Sequence, residues 1–219
     1  MHNRKLLISV NLDESQPDSS ATGLENTLNV FDKFNVRGTF FITINWAQLH
    51  SGLVQRLSAR HEIGLYAHEG SNMDHIQLKG LKDTLQGLSG TLVYGFRNAG
   101  TLAADAVAVK AAGFIYQAPA IAAGRHKPRT LFQEKDLWTI PVSVSPLFRY
   151  AFSAHNVKHT PGVIIQHLCN TILRKDGMIT ITYPLTADNR SSSLLQVLQN
   201  KGQFYTNIEW LQEQLYDGN

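Results

Sequence analysis

The residues with chemical potential gather at a few points of the 219-residue chain. The first is "ISVNLDES", where Asn11, Asp13 and Glu14 follow an apolar run. Carboxylates can hold a cation, move a proton or accept hydrogen bonds, whereas a neutral amide such as Asn11 cannot act as a base. The second is "HEIGLYAHEGSNMDH", which offers Tyr66, His68, Glu69, Asp74 and His75. Zinc accepts imidazole and carboxylate ligands, so three of Asp13, Glu14, His68, Glu69, Asp74 and His75 could together hold a metal. Their spacing fits no established ligand pattern, and we read the stretch as a solvated polar loop. The third is Arg97 in "GFRNAG". The single cysteine, Cys169, lies in the apolar stretch "VIIQHLCNTIL" and reads as a small buried residue of a helix.

The elements that position these residues follow from hydrophobic period. About seven short apolar runs alternate with longer stretches of helical spacing. The strands read as "KLLISVNLD", "RGTFFIT", "HEIGLYA", "LVYGFR", "FIYQA", "LWTIPVS" and "MITITYP". Helices are expected over about Thr22 to Phe34, then over "WAQLHSGLVQRLSA", "IQLKGLKDTLQGLSG" and "AADAVAVKAAG". Three more follow in "PGVIIQHLCNTILRKDG", "SSSLLQVLQNKG" and "TNIEWLQEQLYDG". Repeated strand–helix units build a mostly parallel sheet. In the first strand Leu6, Ile8, Val10 and Leu12 share one face, while Ser9, Asn11 and Asp13 share the other, which grows polar toward its C-terminal end. That end is where α/β barrels carry their sites. No Gly-x-Gly-x-x-Gly and no Walker loop follows any strand, so a dinucleotide or P-loop reading has no support.

These pieces, in this order, resemble the polysaccharide deacetylase (NodB-homology) family, which is carbohydrate esterase 4-like. "ISVNLDES" resembles its first-strand motif, "RGTFFIT" its second strand and "RHEIGLYAHEGS" its Gly-His-Glu-Ile-Gly segment. "GFRNAG" with "AGFIYQ" resembles its Arg motif and the strand after it, and "DGMITITYP" resembles its last strand. The resemblance implies an α/β fold, a distorted (β/α)7-type barrel, in one domain over residues 1–219. It also implies a metal-dependent hydrolase that removes acyl groups from amino sugars. An Asp and two His would hold the metal, usually zinc, with a second Asp as base and a last-strand His as acid.

At the matching positions this chain differs. The Asp-x-Asp pair reads Asn11-Leu12-Asp13, and strand alternation argues against the other register, Asp13-Glu14. The metal histidines become Tyr66 and Gly70, the acid becomes Tyr183, and Gln117 replaces an Asp. Arg97 remains, but the following Pro position holds Ala99. We therefore expect no catalytic metal or other cofactor, and a sugar ligand held by Asn11, Asp13, Glu14, Tyr66, His68, Arg97 and Tyr183. Trp46, Trp138 and Gln117 are further candidates, although a Trp in a helix or strand is usually core. Arg97 is expected to pair with Asp13.

Two alternatives stay open. One is an active enzyme with a re-formed site. The other is a scaffold role through the C-terminal helix, where Ile208, Leu211 and Leu215 share a face and Trp210 is offset. The net charge of +3, without a dense Lys/Arg cluster, gives no nucleic-acid footprint. No apolar run reaches the ~18 residues of a membrane span, and the start of the chain has no signal-peptide pattern, so the expected location is the cytoplasm.

Overall fold

β-Branched and aromatic runs become strands of two to eight residues here, most of them buried on both faces. The computed structural model describes residues 4–14, 21–68, 73–98, 105–119, 132–143, 173, 177–185 and 190–217. The strands are β1 (Lys5–Leu12), β2 (Thr39–Ile42), β3 (Glu62–Ala67), β4 (Gly95–Asn98) and β5 (Tyr116–Gln117). They continue with β6 (Phe132–Glu134), β7 (Leu137–Thr139), β8 (Met178–Thr182) and β9 (Gln203–Tyr205). The helices are α1 (Ala21–Lys33), α2 (Ile44–Leu49), α3 (Ser51–Ser58), α4 (His75–Ser89), α5 (Ala106–Ala111), α6 (Arg190–Gln199) and α7 (Asn207–Asp217).

The sheet order is β6-β7-β5-β4-β3-β2-β1-β8, with β9 also pairing β1. From β7 to β8 every neighbour pair along this path is parallel, which gives seven parallel strands in a curled half-barrel. This is the distorted (β/α)7 architecture expected from the alternation of strands and helices.

Strand alternation divides the core in two. Leu6, Ile8, Val10 and Leu12 join Phe40, Ile42, Ile63, Leu65, Ile179 and Ile181 beneath the helices. Leu7, Phe41, Tyr66, Tyr116, Met178 and Trp210 form a second cluster on the concave side. Each aliphatic side chain so buried contributes about 1.5–3 kcal/mol.

Local signals set the boundaries. Asn35, at φ 51, closes α1, a left-handed position that Asn tolerates. Asp74 caps α4 and forms a capping box with Gln77, while Gly90 at φ 71 ends that helix.

Three features differ from the sequence reading. The single helix expected over residues 46–59 is two, broken at His50. Ser51 and Gly52 explain the restart: Ser favours a helix start, and Gly costs about 1 kcal/mol inside a helix. The antiparallel strand β6 joins β7 through Lys135 and Asp136, both at positive φ, a two-residue turn lacking the usual Asn-Gly signal. The third is β9, three residues between two helices, which pairs Lys5–Leu7 in parallel.

The expected helix around Cys169 lies outside the described residues, as do Gly70, Glu69 and Ala99.

Candidate functional site

The site forms where β1 and β3 end. β1 stops at Leu12, so Asp13 and Glu14 occupy the loop beyond it, free of strand alternation. Both carboxylates turn toward His68, which follows Ala67 at the end of β3. The His68 Nδ1 lies 3.6 Å from Asp13 Oδ2, and its Nε2 lies 3.6 Å from Glu14 Oε1. One donor atom from each of the three residues falls within 4.8 Å of the others. Asp13 and Glu14, which strand alternation expects to point apart, thus both reach His68, whose side chain stays 49% exposed.

The two carboxylates sit differently. Asp13 is buried, with its side chain 5% exposed. Glu14 is fixed from α2: Thr43, the N-cap residue, donates its hydroxyl to Oε2, and Asn45 Nδ2 donates to Oε1 at 2.8 Å. Burial works against the charged form of Glu14. Hydrogen bonds from Thr43, the backbone and Asn45, with His68 nearby, nevertheless hold its carboxyl below the usual range.

Beneath this cluster lies Arg97, fully buried. Its Nε donates to Ala118 O at 2.9 Å, one terminal nitrogen to Asn11 Oδ1 at 2.8 Å and the other to Ser9 Oγ at 3.0 Å. The guanidinium lies 4.0 Å from the Phe41 ring centroid, a cation–π arrangement. Gly64 makes room for that ring, since a Cβ there would meet Phe41 carbons at 2.7 Å. The expected Arg97–Asp13 ion pair is not formed: every hydrogen-bond acceptor on Arg97 is neutral. Desolvation lowers its pKa to about 10, still well above neutrality. Arg97 is thus a brace beneath Asn11, the partly exposed member of the pair.

The other predicted residues separate. Tyr66 is buried on the concave side, with its ring 6.3 Å from that of His68. Tyr183 does not face the cleft. It is 2% exposed, belongs to the core beneath the helices and meets Phe31 edge-on at 5.3 Å. The concave face of β8 is carried by Met178, Thr180 and Thr182 instead. Trp46 is core, Trp138 is half-buried, and Gln117 donates to Thr139 Oγ1 at 3.1 Å. Asp74 serves as a helix cap, and His75 begins α4.

Sequence reasoning missed Thr43 and Asn45, which fix Glu14, and Ser9, which shares the Asn11 face and was open to discovery by alternation. It also missed Thr182, beside Ser9 in parallel register. Its buried hydroxyl has no hydrogen-bond partner among the described residues, and such a group gains about 1–3 kcal/mol when one is supplied.

The family's zinc set, one Asp and two His, does not fit this site. Tyr66 stands in one His position, and among the described residues His68 is the one imidazole grouped with the carboxylates.

A curled parallel α/β sheet with a polar cluster at its strand C-termini defines a class, the incomplete barrels that carry their sites at that end. No family model matches the chain. No curated protein matches it either. Solved structures do. A Mycobacterium smegmatis protein named as a polysaccharide deacetylase aligns over 100% of this chain and 92% of its own, at 16% identity and TM-score 0.67. PuuE allantoinase covers 95% and 89%, at 15% identity and TM-score 0.68. A CE4 family pseudoenzyme from Bacillus anthracis covers 94% of this chain and 65% of its own, at 14% identity and TM-score 0.59. The chain therefore has the NodB/CE4 deacetylase fold.

Proposed function

We propose that this chain is a deacetylase-fold protein of carbohydrate metabolism that binds an amino sugar or oligosaccharide at the strand C-termini without performing the family's metal-dependent hydrolysis. The observation that carries this reading is the composition of the cleft floor. Asn11 stands braced on Arg97 where the sequence match expects a base, and Tyr66 stands where it expects a metal ligand. Asp13, Glu14 and His68 present acceptors and donors side by side, and Asn11 is partly exposed. Sugar hydroxyls, which both donate and accept, suit such a set. The pseudoenzyme of the same fold from Bacillus anthracis is consistent with a barrel that persists without the activity. The reading also takes the chain as one domain located in the cytoplasm. No described helix is long and apolar enough to cross a membrane.

Calorimetric titration of EDTA-treated protein with chitotriose and with N-acetylglucosamine tests it. Binding without added metal, weakened in His68→Ala, is the expected result. No heat from either sugar, or heat unchanged by that substitution, would count against the cleft.

A second reading is favoured by one observation, the approach of Asp13, Glu14 and His68 to within 4.8 Å. It is a hydrolase with a re-formed, carboxylate-rich metal site. Metal analysis of protein purified without added ions separates the two. A stoichiometric divalent ion lost in Asp13→Asn would replace the first reading.

A further inference from the structure

A second concavity opens on the opposite end of the barrel. Asp13 and His68 follow the C-terminal ends of their strands, whereas this groove lies where β1, β2 and β9 begin. Its walls come from the turn after α1, the segment before β9 and one side of α7. Its volume is about 690 Å³, within the roughly 300–1,000 Å³ of small-molecule sites.

The lining has a definite chemistry. Tyr205 is buried in the wall, while Tyr216 is 81% exposed at the rim. The amides of Gln199 and Gln212 are exposed and make no side-chain hydrogen bond among the described residues. The charges cancel locally, because Arg37 pairs with Glu209 and Lys5 with Glu213. Lys5 is further occupied by the Tyr205 hydroxyl at 3.1 Å.

This pattern selects a ligand class. A phosphate requires a cation that is not already neutralised, and both cations here hold carboxylates. A purely apolar ligand would strand the amides and ion pairs without water. A neutral polyhydroxylated ring satisfies both parts: its hydroxyls match amides that donate and accept, and its C–H face can lie on an exposed aromatic ring. The geometry points to a second oligosaccharide-binding site at the base of the barrel, separate from the strand-end cleft and not dependent on it.

The test uses the full chain, with chitotriose and cellotriose as probes, in the background of His68→Ala so that the cleft is impaired. Binding of either sugar should persist in that background and weaken about tenfold when Tyr216→Ala is added, the effect of one lost aromatic contact. Gln212→Ala should weaken it in the same direction. Tyr216 is largely in solvent, so both forms should melt at the same temperature. Loss of all binding in His68→Ala alone would overturn the base site while leaving the cleft reading standing. Binding unchanged by Tyr216→Ala would also overturn it. Binding that ignores His68→Ala but fails with Tyr216→Ala would keep the base site and remove the cleft.

Discussion

Arg97 is the residue whose environment departs furthest from ordinary expectation. A fully buried guanidinium usually meets a carboxylate, yet here its acceptors are an amide, a hydroxyl and a backbone carbonyl, with an aromatic face beside them. On the family resemblance, Asn11 stands where a carboxylate is expected. Asn11→Asp should therefore form a buried ion pair, and Arg97 should hold the new carboxyl about 1–3 pKa units below its usual value. The sign follows from that depression. The extra stability should be present at pH 7 and lost as pH falls through the folded-state pKa. Urea denaturation of both forms at pH 7 and pH 2 measures it. An unchanged midpoint difference would refute the pairing. That Asn11 and Ser9 share a face was legible from alternation. The convergence of Asp13 and Glu14 was not, because β1 ends one residue earlier than the sequence pattern indicates, and beyond that point the period no longer applies.

The "HEIG" segment at the start of β3 joins four elements. Glu62 accepts hydrogen bonds from Tyr116 Oη at 2.7 Å, Thr39 Oγ1 at 2.8 Å and the Ile208 N–H of α7 at 3.0 Å. Burial pushes its carboxyl up to about 7, against the opposing pull of those donors. Its neighbour His61 accepts from the Gly38 N–H at 3.3 Å, and burial, with Arg60 nearby, lowers its pKa to about 4. The two act in opposite directions. Glu62 stabilises the fold below the unfolded carboxyl pKa and loses that contribution as pH rises toward 7, while His61 contributes above 6.5 and loses it as pH falls toward 4. Each shift corresponds to about 3 kcal/mol, so their slopes largely offset between the two ranges. Glu62→Gln should expose the His61 slope alone: stability of the variant should fall by about 3 kcal/mol between pH 7 and pH 4, more steeply than the parent. Thermal melts across that range check it, and parallel curves would contradict it. At this scale the strand–helix alternation was legible. The break at His50, the β6 turn and β9 were not, since each spans too few residues to establish a period.

Across the whole molecule the fold is that of the NodB/CE4 deacetylases, and the positions where the sequence departs from the motifs it resembles lie at or near strand ends. That fold was readable in the sequence, because the resembling motifs occur in order along the chain. The orientation of Tyr183 was readable from alternation, since it falls in step with Ile179 and Ile181, but the match to the family's last-strand His set that signal aside. Its packing against Phe31 has a consequence for restoring chemistry. Tyr183→His should place an imidazole in the apolar core beneath the helices, lower the melting temperature and add no zinc affinity; tighter zinc binding in that variant would show the side chain reaching the cleft. The central claim is that the fold has kept a sugar cleft and lost the metal that served it. Titration of EDTA-treated protein with chitotriose, followed by the same titration after zinc is added, tests this most directly. The account predicts a His68-dependent binding heat that zinc leaves unchanged, with no free amine released from the sugar. Binding that appears only with zinc, or acetate released when zinc is present, would contradict it.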